Sequence, residues 1–153
     1  LFFWDFQQEK YIINYMENKI KVYCDGGSRG NPGKSASAFV IEEDGRLVYS
    51  EAKYLGIATN NFAEYSAVLS ALYWLKVNKQ ELKKEIIFIL DSELVVRQIN
   101  GEYRTKNKKL KEIYLEIKDI LNSLSPKIIF KSVDREKNKI ADFLVNQKLD
   151  SIA

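Results

Sequence analysis

Histidine is absent from the 153 residues, and this absence excludes more chemistry than any other feature of the composition. Without imidazole there is no Ser-His-Asp or Cys-His nucleophilic centre and no His-ligated transition metal. Cysteine occurs once, as Cys24, so no intrachain disulfide and no Cys/His zinc site can be built, and a reducing cytoplasm is the expected compartment. Seven Gly and two Pro are too few for a fibrous or low-complexity chain. Long hydrophobic runs are missing too. The densest, 65–75, is interrupted by Ser66 and Ser70 and is shorter than the roughly 18–20 residues that cross a bilayer, so no membrane role is expected. No internal repeat or Gly/Ser/Pro linker divides the sequence, and the length suits one domain of about 100–200 residues. Any catalysis must therefore run on carboxylates, Lys, Tyr or hydroxyls, and any metal is a hard ion held by oxygen.

What is present is a globular balance, 46% hydrophobic and 29% charged, with a net charge of +3 that is unevenly spread. Residues 104–139 hold eleven Lys or Arg against five Asp or Glu, whereas residues 1–103 hold twelve against fourteen. A basic stretch of this kind suits a phosphate backbone, and it equally suits a solvated face. Residues 1–15, LFFWDFQQEKYIINY, lack the basic start, apolar core and small-residue cleavage site of a secretory signal. With the single methionine at Met16, they read as an N-terminal extension. It is either non-native or disordered sequence, or an aromatic arm that docks on the domain or a partner. Residues 16–153 read as the folded domain.

Ile20, Val22 and Cys24 alternate with Lys21 and Tyr23, predicting a strand that ends at Asp25 and the turn residues Gly26 and Gly27. Ser37 to Glu42 and Arg46 to Tyr54 predict two more strands joined by the Glu43-Asp44-Gly45 turn. Thr59-Asn60-Asn61 supplies N-cap chemistry for a helix whose apolar positions run from Ala63 to Leu75. The continuous apolar run 86–90 predicts a strand buried on both faces, ending at Asp91. Helices over Glu93–Asn100 and Lys108–Leu124, a strand over Ile128–Val133 and a closing helix over Lys139–Leu149 complete a βββαβααβα order, a mixed-sheet α/β domain.

Asp25 and Asp91 thus stand at strand ends, where ligands collect in open α/β sheets, with Glu64 early in a helix and Asp142 near the start of the last one. Each alone suits a surface acid or a helix cap. Acids sharing one crevice repel, and divalent cations, often two of them about 3.5–4 Å apart in phosphodiester enzymes, keep them ionised. The segment 28–35, SRGNPGKS, nearly matches a phosphate-binding loop, but Ser28 replaces the first glycine and Lys34-Ser35 lead into a strand rather than a helix.

Four segments, YCDGGSRGNPG (23–33), TNNFAEY (59–65), DSELVVRQINGEYRTKN (91–107) and VDREKNKIADFLVN (133–146), in this order and spacing resemble the type 1 ribonuclease H family over about residues 19–148. The resemblance implies a ribonuclease H-like α/β fold, a five-stranded mixed sheet of three antiparallel and then two parallel strands flanked by helices. It implies endonucleolytic cleavage of the RNA strand of RNA–DNA hybrids by two Mg²⁺ ions, with Mn²⁺ as a substitute, leaving 5′-phosphate and 3′-hydroxyl ends. A monomer in the cytoplasm is expected. Asp25, Glu64, Asp91 and Asp142 then match the four metal-binding catalytic carboxylates, joined by the Gly26 backbone. Asn31 and Asn61, with backbone groups near Gly26 and Ser28, match positions that read the RNA 2′-hydroxyls, Thr59 matches a contact to a DNA phosphate, and Asn60 is a further candidate for substrate binding. An amide suits a 2′-hydroxyl because it both donates and accepts. Two other readings stay open: a non-catalytic hybrid-binding module, and another two-metal nuclease on the same fold.

Several positions depart from the family pattern. Ser132 stands where many relatives carry a histidine that assists proton traffic or product release, and Asp134 stands where a proline is common. Glu136 is the nearest titratable group and is expected to take part of the histidine's role. Glu93 occupies a position where some relatives have a hybrid-contacting Gln. The Trp-rich basic handle of some bacterial members is missing, and Arg104, Lys106, Lys108, Lys109 and Lys111 are the candidate for a smaller basic surface. If that surface holds the hybrid, affinity falls steeply with salt, and Lys106→Ala plus Lys108→Ala makes the fall shallower in a salt titration. An unchanged slope marks an ordinary solvated helix start.

Overall fold

The computed structural model of the protein describes residues 6–17, 19–78 and 84–152. After helix α1 (Phe6–Glu17) come three strands, β1 (Lys19–Gly30), β2 (Gly33–Glu43) and β3 (Arg46–Ala58), then α2 (Asn60–Asn78) and β4 (Glu85–Leu90). Helices α3 (Glu93–Ile99) and α4 (Lys108–Ser123), strand β5 (Ile128–Ser132), a 3₁₀ turn (Arg135–Asn138) and α5 (Lys139–Asp150) follow. The sheet order is β3-β2-β1-β4-β5, with β1–β3 antiparallel and β4 and β5 parallel to β1. This is the expected mixed sheet. The N-terminal helix was not foreseen, and the expected boundary at residues 15/16 falls inside it; residues 1–5 lie outside the described residues.

Side chains alternate across the sheet and sort into two layers. Ile20, Val22, Cys24, Ile86, Phe88 and Leu90 pack under α2, α3 and α4 in the main core. On the opposite face, Ala36 and Ala38 pack against Val145 and Leu149 of α5. Alanine at those two strand positions lets α5 lie close. In the run 86–90, expected to be buried on both faces, Ile86, Phe88, Ile89 and Leu90 are buried and Ile87 is half-buried, because α5 packs over β1, β2 and β3.

The turn between β2 and β3 closes in two residues, Glu43 facing Arg46, with φ +52° at Asp44 and +78° at Gly45. Positive φ at both central residues is the geometry that matches strand twist and that Asp-Gly favours. Thr59 Oγ1 caps α2 as the sequence suggests, accepting from the Phe62 N–H at 3.2 Å, and Asn107 Oδ1 caps α4, accepting from the Leu110 N–H at 3.2 Å.

The first strand does not end at Asp25. It continues through Gly26 and Gly27 to Gly30, which faces Gly33 of β2 across Asn31-Pro32. The near match to a phosphate loop is therefore a hairpin. Gly26 is a strand residue because α2 rests on it: a Cβ there would lie 2.2 Å from the Ala63 carbonyl carbon and 2.4 Å from the Glu64 nitrogen. Backbone cannot yield like a side-chain tip, so Gly26→Ala is expected to cost about 1–3 kcal/mol in denaturant unfolding. Gly27→Ala, whose Cβ meets only Val145 Cγ1 at 3.6 Å, serves as the near-neutral control.

Candidate active site

Three elements converge at one end of the sheet. Asp25 leaves β1 on the face opposite Cys24, Glu64 projects from the first turns of α2, and Asp91 follows β4 directly. One carboxylate oxygen from each lies within 4.8 Å of the other two. The close seat of α2 on Gly26 is what brings Glu64 to Asp25. All three line a cavity of about 560 Å³, together with Gly26, Ser28 and Asn60. Asp142, in the first turn of α5, lines the same cavity but stands outside the three-acid cluster, ion-paired with Arg135 at 3.3 Å.

Burial and mutual repulsion set the protonation of this group. Burial pushes Asp25 up to about 8, with Asp91, Glu64 and Asp142 adding to the rise and the Gly26 N–H opposing it. Burial pushes Glu64 up to about 7, opposed first by a hydrogen bond from Ser92 and then by the Arg135 charge, with Asp91 acting the other way. Asp91 is raised by burial and by Asp142, with Arg135 opposing. The donors are all hard oxygens, and the repulsion among them is what a bound divalent cation relieves, so the residues fit a metal of that class.

Ser92 and Arg135 were not anticipated from the sequence. The Ser92 hydroxyl accepts from the Val95 N–H at 3.3 Å as the cap of α3 and hydrogen-bonds Glu64, so one side chain fixes both the helix start and an acid. Its place directly after Asp91 at a helix start was the available signal. Arg135 opens the 3₁₀ turn beside the acids, and no spacing in the sequence marks it. Asn138, buried, donates from Nδ2 to the Cys24 carbonyl at 2.8 Å and ties that turn to the strand just before Asp25.

The remaining expected residues divide. The Ser28 N–H and hydroxyl both approach Asn60 Oδ1, at 2.9 and 3.2 Å, and the Asn60 N–H donates to Asn31 Oδ1 at 3.1 Å, so Asn31 acts on the cavity through Asn60. Asn61 is half-buried and outside the lining. Thr59 lines a separate hollow of about 540 Å³ with Asn107 and Lys109. Glu93 is paired with Arg97 at 2.7 Å and faces another hollow. Lys106 is exposed away from the cavity. Glu136 is exposed on the 3₁₀ turn and also lies outside the lining, where Asp134 and Arg135 stand instead.

With fold and acid cluster described, the chain falls in the ribonuclease H-like fold class. A family described as reverse transcriptase-like matches residues 23–148. Ribonuclease HI of Halobacterium salinarum is 34% identical, covering 86% of this chain and 65% of that protein. A bifunctional protein of Mycobacterium tuberculosis is also 34% identical, over 88% of this chain; the chain spans 36% of that relative's length. The crystal structure of LC11-RNase H1 in complex with RNA/DNA hybrid superposes with a TM-score of 0.82 at 40% identity, covering 87% of this chain and 98% of that one. The chain belongs to the type 1 ribonuclease H family.

The raised acids couple stability to pH. Asp25 binds its proton more tightly folded, at about 8, than at its ordinary 3.8, so without metal the stability it confers is present at low pH and is lost as pH rises between those values. In EDTA, Asp25→Asn is expected to melt above wild type near pH 8 and to lose that advantage near pH 4. Equal melting temperatures at both values would contradict the burial of this carboxyl.

Proposed function

We propose that the protein is an endoribonuclease that cuts the RNA strand of RNA–DNA hybrids, with Mg²⁺ as the working ion and Mn²⁺ as a substitute. The observation that carries the reading is the three-acid cluster of Asp25, Glu64 and Asp91, with Asp142 on the same cavity. Family membership and a relative solved with an RNA/DNA hybrid support the same substrate. Asp25, Glu64, Asp91 and Asp142 would hold two ions, with the Gly26 backbone beside them. Bound there, the ions would supply an activated water for in-line attack on phosphorus and stabilisation for the departing 3′-oxygen.

The chain's own groups do the rest. Ser92 keeps Glu64 aimed at the cavity, and Arg135 holds Asp142 and tempers the negative field of the other acids. Asn60 Oδ1 is engaged by Ser28, which turns the amide nitrogen into the available donor for a 2′-hydroxyl oxygen. Asn31 holds the Asn60 backbone in place. Thr59, Asn107 and Lys109, grouped in their own hollow, suit a phosphate of the uncut strand. No protein nucleophile is required, which suits a chain without histidine. One chain supplies all four acids, so a monomer suffices, and a single buried thiol suits a reducing cytoplasm. Among the described residues no helix is long and apolar enough to cross a membrane.

An end-labelled hybrid tests the reading. The RNA strand should be cut in Mg²⁺ and left intact in EDTA, and a matched all-DNA duplex should survive both. Asp91→Asn should lose more than the about 10- to 100-fold typical of a group that merely supports a ligand. A folded wild-type chain that binds the hybrid yet cuts nothing in Mg²⁺ or Mn²⁺ favours a binding module instead.

A further inference from the structure

Beyond Asp91, a second hollow of about 370 Å³ is lined by Asp91, Glu93, Lys131, Ser132, Asp134 and Lys137. It shares Asp91, Val133 and Asp134 with the catalytic cavity, so the two form one trough across the end of the sheet. The register explains its cations. Leu90 faces Ser132 and Ile89 faces Lys131, so Lys131 leaves β5 on the face opposite Phe88, Leu90 and the main core. Asp25 leaves β1 on that same face. Helix α5 covers it over β1, β2 and β3, whereas over β5 Ile129 stays 37% exposed and Lys131 is exposed. Lys137 reaches the hollow from the 3₁₀ turn, its N–H fixed to the Asp134 carbonyl at 2.8 Å.

The other cations near the trough are already engaged. Arg135 pairs with Asp142, Arg29 with Asp150, and Arg97 with Glu93. Among the described residues, Lys131 and Lys137 make no ion pair, although Glu93 and Asp134 line the same hollow. A polyanionic strand threaded past four carboxylates meets repulsion at every phosphate except one held by bound cations. Unpaired ammonium groups one step along the trough counter it. Lysine, a compact charge on a flexible stem, suits a phosphate held as a point charge.

We propose that Lys131 and Lys137 form a second phosphate subsite, holding an RNA-strand phosphate adjacent to the scissile one on the β5 side. The inference rests on the hybrid-cleaving reading and adds to it a named path for the cut strand. The contact is sequence-independent, because it touches backbone alone.

The test combines a double variant with neutral linkages. Wild type, Lys131→Ala/Lys137→Ala and Lys131→Arg/Lys137→Arg are assayed in Mg²⁺ on an unmodified hybrid. They are also assayed on hybrids carrying one uncharged methylphosphonate walked through the RNA strand about the cut. The alanine pair should raise KM about tenfold with kcat within about twofold, and the arginine pair should restore it. One methylphosphonate position should raise the wild-type KM similarly and leave the alanine pair no worse. Thermal melts should not move, since both lysines are exposed. An unchanged KM in the alanine pair, or the full methylphosphonate penalty in that background, overturns the subsite alone. Failure of wild type to cut the unmodified hybrid overturns the hybrid-cleaving reading, and the subsite with it.

Discussion

The first turns of α2 lie on the bare backbone of Gly26, closer than any side chain would permit, and the site depends on that contact. It sets the distance between a strand acid and a helix acid. With Asp25 before it in the chain and Glu64 at the helix end of the contact, the glycine works as a spacer of minimal thickness between two carboxylates. The third acid, Asp91, arrives because β4 runs parallel to β1 and ends beside it. What α2 fixes locally, the main core fixes globally: Tyr65, next to Glu64, is fully buried and gives its hydroxyl to Gln98 Oε1 at 2.6 Å. An acid that repels its neighbours is thereby held by the residue next to it, which has no other place to go.

The opposing electrostatics are distributed with similar economy. Three acids drawn together without a cation favour protonation, and the fold counters with a hydroxyl from Ser92, an N–H from Gly26 and the charge of Arg135. None of these neutralises the cluster. The remaining repulsion is what fits the cluster to a divalent ion rather than to a settled salt-bridge network.

Much of this was legible beforehand. Alternation located the strands, Asp44-Gly45 located the hairpin, and Thr59 marked a helix start, because each of these signals is local. The four acids were legible because they stand in recognisable segments, Asp91 directly after a strand and Glu64 and Asp142 early in helices, although Asp25 proves to lie within its strand rather than at its end. The misreadings share a cause. Gly26 and Gly27 look like a turn to any local rule, and only the helix lying on them explains why the strand runs straight through. Ser92 and Arg135 act on residues 28 and seven positions away in sequence, through contacts that exist only once the sheet has formed. The helix at Phe6–Glu17 is a separate case, lying mostly in the stretch before Met16 that reads as an extension.

Arg135 and Asp142 sit on the turn and helix that follow the last strand, whereas the three clustered acids are all in place by residue 91. A chain emerging from the ribosome therefore exposes the repulsive trio before the guanidinium that tempers it has been synthesised. The α5 segment, which lies over Ala36 and Ala38 in the folded chain, is made last of these elements. The order of synthesis thus delivers the fourth acid on the same helix that covers the opposite face of the sheet.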